Sequence, residues 1–260
     1  MRQILFQVFK LLFAGALIFW MIQGGKLDFQ SIFRSYSGAN LAILLTLLLI
    51  ILANNNWRWW LLLKSFGLPF TYLYTLRLTL VGLFFNYAMP GGVGGDVVKG
   101  YYLVRDHKEQ RAKTLGTVLM DRIVGMHAMA AFGLGAMLVQ WQMISENPKA
   151  MTLFWSVLAL NIAILLFFAL TMSEIIFESA RLNRLLSRLP GGSIFKKIHE
   201  VFFLYREKKK TLVVAFLLSL ISQIVNVVFF FIAAQFMGYE EATWSSYMFV
   251  VPVGLIAMAL

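Results

Sequence analysis

The sequence lacks cysteine and is poor in charge, and these two absences exclude whole classes of site. Without cysteine there are no disulfides and no thiolate metal ligands, and the redox compartment stays undetermined. Only 13% of the 260 residues are charged, against about 25% in a soluble domain. The three histidines, His107, His127 and His199, are too scattered to form a metal-binding spacing. We expect neither a metal nor a cofactor.

Apolar residues take the place of the missing charge. They make up 60% of the chain, and the mean hydropathy is +0.76. Several runs reach the length of about 20 apolar residues that crosses a bilayer. We predict an all-α polytopic membrane protein with about six transmembrane helices, in a single domain over residues 1–260. The runs lie at about 4–22, 39–53, 114–141, 151–172, 211–237 and 246–260.

The first and last runs each have a particular feature. The first, Ile4 to Ile22, could instead be a signal peptide, but such a peptide needs a small-residue cleavage site. Trp20, Met21 and Lys26 stand there instead, so we favour a retained span. The last run, about residues 246–260, is short and has no cap or flanking charge. We expect this sequence to end inside a truncated helix.

The positive charge predicts the orientation. Lys and Arg number 23 against 12 Asp and Glu, a net charge of +11, and they lie mainly between the apolar runs. This placement indicates the positive-inside rule rather than nucleic-acid binding. The basic connection 173–210 and the N-terminus should be cytoplasmic, and the link with Glu240 and Glu241 should be outside. Part of the connection, around Leu182 to Leu189, is either an amphipathic helix on anionic lipid or a plain topology determinant.

The membrane side assigned to the charged segments on either side of residues 72–104 predicts a re-entrant hairpin. Tryptophans beside Arg58 and Lys64 are typical of a membrane interface, and two spans place both residues in the cytoplasm. The charged stretch 105–113 is cytoplasmic by the same count. The segment of about 72–104 must therefore enter and leave by one face, with a Pro-Gly break at its tip. Irregular backbone at membrane depth is tolerated only where protein or water surrounds it, so a cavity is implied.

The break carries the residues that suit a lipid headgroup. Its glycines free backbone N–H groups, and Asp96 stands where it could cap a helix that begins at Val97. Lys99 offers a positive charge to a phosphate, and Asp96 a negative charge to an amine or a proton. The alternative is that Pro-Gly only turns the chain and Asp96 only caps. The candidate residues here are Asn86, Pro90, Gly91, Gly92, Gly94, Gly95, Asp96 and Lys99.

Asp121 and Arg122 form a second candidate element, because ionisable residues in an apolar helix usually face the bundle interior or water. Neighbours in sequence diverge by about 100° around a helix, so they need not pair with each other. Arg122 could meet Asp96, or Asp121 could meet Arg77. Arg77 could equally extend to the interface along its apolar stem.

At these residues the sequence resembles the lysylphosphatidylglycerol synthase transmembrane family, also called flippase-like, which includes the membrane domain of multiple peptide resistance factor. The resemblance covers about residues 40–260 and is strongest over 86–125. The family often has Arg at the position of Lys99 and Glu at that of Asp121. The matching residues are Asn86, Pro90, Gly94, Gly95, Asp96, Lys99 and Leu103, followed by Asp121 and Arg122.

The resemblance implies a function and a location. It implies translocation of a modified phospholipid or polyprenyl-linked lipid between leaflets of a bacterial or archaeal inner membrane, with membrane lipids as partners. It also implies a second glycine-rich element after residue 260 that would complete the site. A homo-oligomer is compatible with the sequence.

Two other functions stay open at this point. A membrane-embedded transferase would use Asp96 or Asp121 as a general base, although no activated nucleophile or metal cluster accompanies either acid. A structural membrane partner would need no site at all. We favour a transporter over an enzyme.

Overall fold

The computed structural model describes residues 37–88, 94–106, 110–173, 200–239 and 243–259. Four predicted features lie outside these residues: the first span, the tip of the Pro-Gly break, most of the basic connection, and the link with Glu240 and Glu241. The elements within the described part of the chain are helical. They are α1 (Gly38–Ser65), α2 (Tyr72–Ala88), α3 (Gly94–Asp106), α4 (Arg111–Val139), α5 (Trp141–Glu146), α6 (Pro148–Thr171), the 3-10 turn Tyr205–Lys208, α7 (Lys209–Phe236) and α8 (Trp244–Ala259).

Four of the described helices are long and apolar enough to cross a membrane. They are α1, α4, α6 and the continuous helix Glu200–Phe236, of which α7 is the main part. The shorter apolar stretch Trp244–Ile256 lies in α8. These lengths confirm the prediction of a polytopic helical membrane protein.

Local sequence explains where two of these helices begin. Ser37 caps α1 by accepting a hydrogen bond from the backbone N–H of Asn40. Asn147 caps α6 by accepting from the N–H groups of Lys149 and Ala150, and Pro148 fills the first helical position, where its missing N–H costs nothing.

Helix α1 continues further than its apolar run. The run ends at Ala53, but the helix passes through the asparagines and tryptophans to Ser65. The segment that we predicted to lie at a membrane interface is thus a continuation of the same helix. Trp57 is exposed, whereas Trp59, about 200° further round the helix, is only 1% exposed and lies in the core. Arg58 also points into the bundle, whereas Lys64 is exposed.

Helices α2 and α3 pack against each other as an antiparallel pair. Asn86 contacts Gly95 near one end of the pair, and Gly82 lies against Lys99 one turn away. Leu78 and Leu103 belong to the same buried cluster another turn on. The chain therefore forms a helical hairpin over the predicted segment.

Glycine makes this close approach feasible. A Cβ at Gly95 would overlap the carbonyl oxygen of Gly82 and stand 2.6 Å from Oδ1 of Asn86. The two helix backbones could not be this close with a larger residue there.

The hairpin packs on α1 through α2 and on α4 through α3. Helix α7 packs on α1, α4 and α8, and α4 also contacts α3 and α6. A buried cluster that includes Leu62, Met120, Phe202 and Tyr205 joins α1, α4 and the start of the last long helix. Helices α1 and α4 thus both touch the hairpin as well as α7.

Gly95→Ala should separate the hairpin helices and lower stability by about 1–3 kcal/mol, the usual cost of overpacking. Gly135→Ala is the matched control, because a Cβ there meets nothing within 4 Å and alanine favours a helix. Thermal unfolding of the purified protein in detergent measures both variants. Equal melting temperatures for the two would contradict the close approach.

Candidate functional site

Two adjacent residues of α4 each form an ion pair with a different helix. Asp121 pairs with Arg58 of α1, and Arg122 pairs with Asp96 of α3. Because consecutive residues differ by about 100° around a helix, Asp121 and Arg122 can face two different neighbouring helices. The predicted contact of Arg122 with Asp96 is present. Asp121 pairs with Arg58 rather than with Arg77.

The pair of Arg58 and Asp121 is bidentate and the more buried of the two. Arg58 donates from Nε to Oδ1 of Asp121 over 2.7 Å and from Nη2 to Oδ2 over 3.1 Å. Nη1 donates to Oγ of Ser219 in α7 over 2.8 Å. The side chains are 11% and 14% exposed. One guanidinium therefore joins α1, α4 and α7 through charge-assisted hydrogen bonds.

Gly125, one turn after Asp121, leaves room for that guanidinium. A Cβ at Gly125 would stand 3.1 Å from Nη1 and 3.3 Å from Nη2 of Arg58. The plane of the guanidinium thus lies directly against the backbone of α4.

The pair of Asp96 and Arg122 is more accessible. Nη1 of Arg122 donates to Oδ2 of Asp96 over 2.6 Å. The side chain of Arg122 is 24% exposed and that of Asp96 is 21% exposed. Helix α3 begins at Gly94, not at Val97 as predicted, so Asp96 lies in the first turn and is not the capping residue. Its carboxylate still benefits from the positive end of the helix dipole.

Three other residues of the predicted break, Asn86, Gly94 and Gly95, lie where α2 and α3 meet. Asn86 accepts a hydrogen bond through Oδ1 from the N–H of Gly95 over 2.7 Å, which holds the hairpin closed near its tip. Gly94 and Gly95 are buried in the first turn of α3. Pro90, Gly91 and Gly92 lie outside the described residues.

The two predicted cations of the hairpin lie apart from the Asp96–Arg122 pair. Nζ of Lys99 is 4.9 Å from the centre of the Trp59 ring, a cation–π contact, and its stem runs beside Gly82. Arg77 is exposed on α2 and makes no ion pair with any described residue. The structure therefore places Asp96 and Arg122 in one ion pair and Asp121 in another, and among the described residues Arg77 belongs to neither.

Sequence reasoning missed a polar network between α1 and its neighbours. Asn54 donates to the carbonyl oxygen of Leu218 over 2.6 Å and to Ser222 over 2.8 Å. Ser222 donates in turn to Asn55 over 2.9 Å. On another side of α1, the buried Asn56 donates to the carbonyl oxygen of Tyr72 and accepts from Thr79, and so holds α2.

A signal for this network was present in the sequence. Polar residues inside a membrane helix almost always face the bundle interior. The run Asn54 to Asn56, followed by Arg58, satisfies that rule as soon as the helix is extended past Ala53. The adjacent tryptophans are a competing signal, because they are typical of a membrane interface.

The Asp96–Arg122 pair lies well away from the C-terminal end of α3 and the N-terminal end of α4, the two helix ends that follow each other in the chain. Asp96 is ten residues from Asp106 and Arg122 eleven residues from Arg111, which correspond to about 15 Å and about 17 Å of helix. The two distances along the helices therefore agree with each other, as the pairing of Asp96 with Arg122 requires.

The long apolar helices and the internal ion pairs define a multi-pass helical membrane protein with a polar centre. The sequence matches the model of the family described as lysylphosphatidylglycerol synthase TM region over residues 7–260, and the chain belongs to that family. Comparison with curated proteins and with solved structures gave no match.

Arg58→Ala should destabilise the fold by about 3–5 kcal/mol, because it leaves the carboxylate of Asp121 buried without its partner. Arg77→Ala removes an exposed arginine of the same kind and should change stability by less than about 0.5 kcal/mol. Denaturant unfolding in mixed micelles measures both. A double variant, Arg58→Met with Asp121→Leu, should recover much of the loss; no recovery would argue against an ion pair.

Proposed function

We propose that the chain is a lipid translocase of the flippase-like kind. It would move a modified phospholipid or a polyprenyl-linked lipid between leaflets, with the headgroup held in the bundle and the chains left in the bilayer. We further propose that the hairpin of α2 and α3 is re-entrant and that its tip forms one wall of the headgroup site.

The observation that carries this proposal is the accessible pair of Asp96 and Arg122. A zwitterionic headgroup has the same two charges as the pair. Its phosphate can take the place of the carboxylate on Arg122, and its amine can take the place of the guanidinium on Asp96. Each charge is then exchanged for an equivalent one, so no charge is left unpaired at membrane depth, where an isolated charge is costly.

The N-terminus of α3 supports the same exchange. The first-turn N–H groups of a helix have no partner within the helix and attract anions. A phosphate on Arg122 would lie at this helix end, beside Asp96. The more buried Arg58–Asp121 pair would stay closed and keep α4 in register.

The other predicted residues complete this proposal. Pro90, Gly91, Gly92 and Gly94 would shape the tip, and Asn86 would keep it closed through Gly95. Lys99 and Arg77 would extend the positive charge along the hairpin from the tip towards its base. These roles are proposals from sequence and position.

Support for a re-entrant hairpin comes from its dimensions. Helices α2 and α3 have 17 and 13 residues, about 25 Å and about 20 Å. Both helices are shorter than the thickness of the hydrocarbon core, which is about 30 Å. Because they are antiparallel, the start of α2 and the end of α3 lie at the same end of the hairpin. A hairpin of this size would enter a bilayer and turn within it.

Reconstitution into vesicles with a fluorescent phospholipid tests the proposal. Asp96→Asn and Arg122→Gln should each slow translocation by about 10- to 100-fold, because each removes a charged hydrogen-bonding partner of the headgroup. Lys149→Gln, which removes an exposed charge at the start of α6, is the control and should leave the rate unchanged.

The double variant Asp96→Asn with Arg122→Gln separates a headgroup site from a structural contact. The two amides can hydrogen-bond to each other, so the hairpin should stay docked and the melting temperature should stay close to that of the native protein. Translocation should nevertheless be lost. Native rates in this folded double variant would exclude the proposed role of the pair.

A further inference from the structure

A second feature of the molecule, separate from both ion pairs, is a groove along the outer side of α1. One cavity of about 490 Å³ is lined by Ile50, Ala53, Asn54, Trp57, Trp60 and Tyr72. A second cavity of about 510 Å³ shares Trp60 and Tyr72 with it and continues past Lys64 and the loop 67–71. We call these two adjoining cavities the α1 groove.

The aromatic walls of the α1 groove are held in place. The indole N–H of Trp60 donates to the carbonyl oxygen of Phe70 over 3.1 Å, and the hydroxyl of Tyr72 donates to the carbonyl oxygen of Ala53 over 3.1 Å. The rings of Trp60 and Tyr72 meet edge to face, with centroids 6.1 Å apart. A groove with fixed walls does not spend binding free energy on ordering them.

The two ends of the α1 groove differ in chemistry. Ile50 and Trp57 are 45% and 49% exposed and make one end apolar. At the other end, Nζ of the exposed Lys64 lies 5.0 Å from the centre of the Trp60 ring. None of the described residues that line the two cavities is acidic. The groove thus runs from an apolar surface to the positive charge of Lys64 beside tryptophan and tyrosine.

The length of the α1 groove matches one leaflet. Ile50 and Lys64 are fourteen residues apart in one helix, which is about 21 Å. Half of a bilayer with its headgroups is about 20–22 Å thick. Lys64, Trp60 and Tyr72 stand where a helix end meets the loop to the hairpin, the kind of place where aromatic residues meet headgroups.

From this gradient of polarity, this length and this charge, we propose that the α1 groove binds one anionic phospholipid. An acyl chain would lie between Ile50 and Trp57, and the phosphate would contact Lys64. The proposal goes beyond translocation and does not depend on it, because none of the lining residues belongs to the Asp96–Arg122 or Arg58–Asp121 pair. A protein that translocates nothing could still bind lipid here.

Photolabelling in lipid nanodiscs tests this site. The purified chain is placed in phosphatidylcholine nanodiscs with a small fraction of phosphatidylglycerol or phosphatidylcholine that has a photoreactive acyl chain. Adducts are then mapped by mass spectrometry. We expect phosphatidylglycerol to label the segment from Ile50 to Trp57 about fivefold more than phosphatidylcholine, the preference that one interfacial lysine supplies.

Variants identify the groups responsible. Lys64→Gln should remove the preference for phosphatidylglycerol, whereas Lys113→Gln, which removes an exposed lysine at the start of α4, should preserve it. Trp57→Ala should reduce labelling by both lipids, because it removes one wall of the groove. Trp155→Ala removes an exposed tryptophan of α6 and should have no effect on this segment.

Three outcomes would overturn the proposal. Equal labelling by the two lipids in the native protein would mean that the groove has no selectivity for charge. An equal loss with Lys113→Gln would make the effect a general one of surface charge. Absence of lipid adducts in the segment from Ile50 to Trp57, together with cross-links to residues 1–36 from a photoreactive amino acid placed at position 57, would assign the groove to the protein's own N-terminal segment.

Discussion

The cost of an unpaired charge in a bilayer decides how the helices of this protein are arranged. Asp121 and Arg122 stand in the interior of a helix long enough to span a membrane, and each needs a partner there. Because they are adjacent, no single neighbouring helix can serve both. Arg58 from α1 and Asp96 from α3 supply the partners, so the hairpin and the first described span are both held to α4.

The hairpin can supply Asp96 only because small residues let it fold tightly. Gly82 and Gly95 bring the backbones of α2 and α3 close, and Asn86 closes the hydrogen bond near the tip. This packing holds the first turn of α3, which contains Asp96, against the end of α2. Close backbone packing is a usual source of helix association in membranes, where burial of apolar surface gains little.

The membrane class, the helical hairpin and the contact between Asp96 and Arg122 could be predicted from the sequence, because apolar runs, a Pro-Gly break and buried charges are local signals. The partner of Asp121 could not, since Arg58 is 63 positions away and the tryptophans around it resemble an interface. The start of α3 was also missed. Glycine favours no particular backbone conformation, so the sequence between Gly91 and Asp96 does not mark the first helical residue.

The two ion pairs have the same charges but suit different tasks. A bidentate arginine with a third hydrogen bond to Ser219 and little exposure has no open side for a ligand, and breaking it would leave several groups unpaired. In the other pair, the side chain of Arg122 is 24% exposed, about twice the 11% of Arg58. The Arg58–Asp121 pair therefore fixes α4 against α1 and α7, whereas the Asp96–Arg122 pair is more accessible from outside the bundle. Under the proposed function, the accessible pair is the one that would exchange its charges for those of a headgroup, while the closed pair beside it would keep α4 in position.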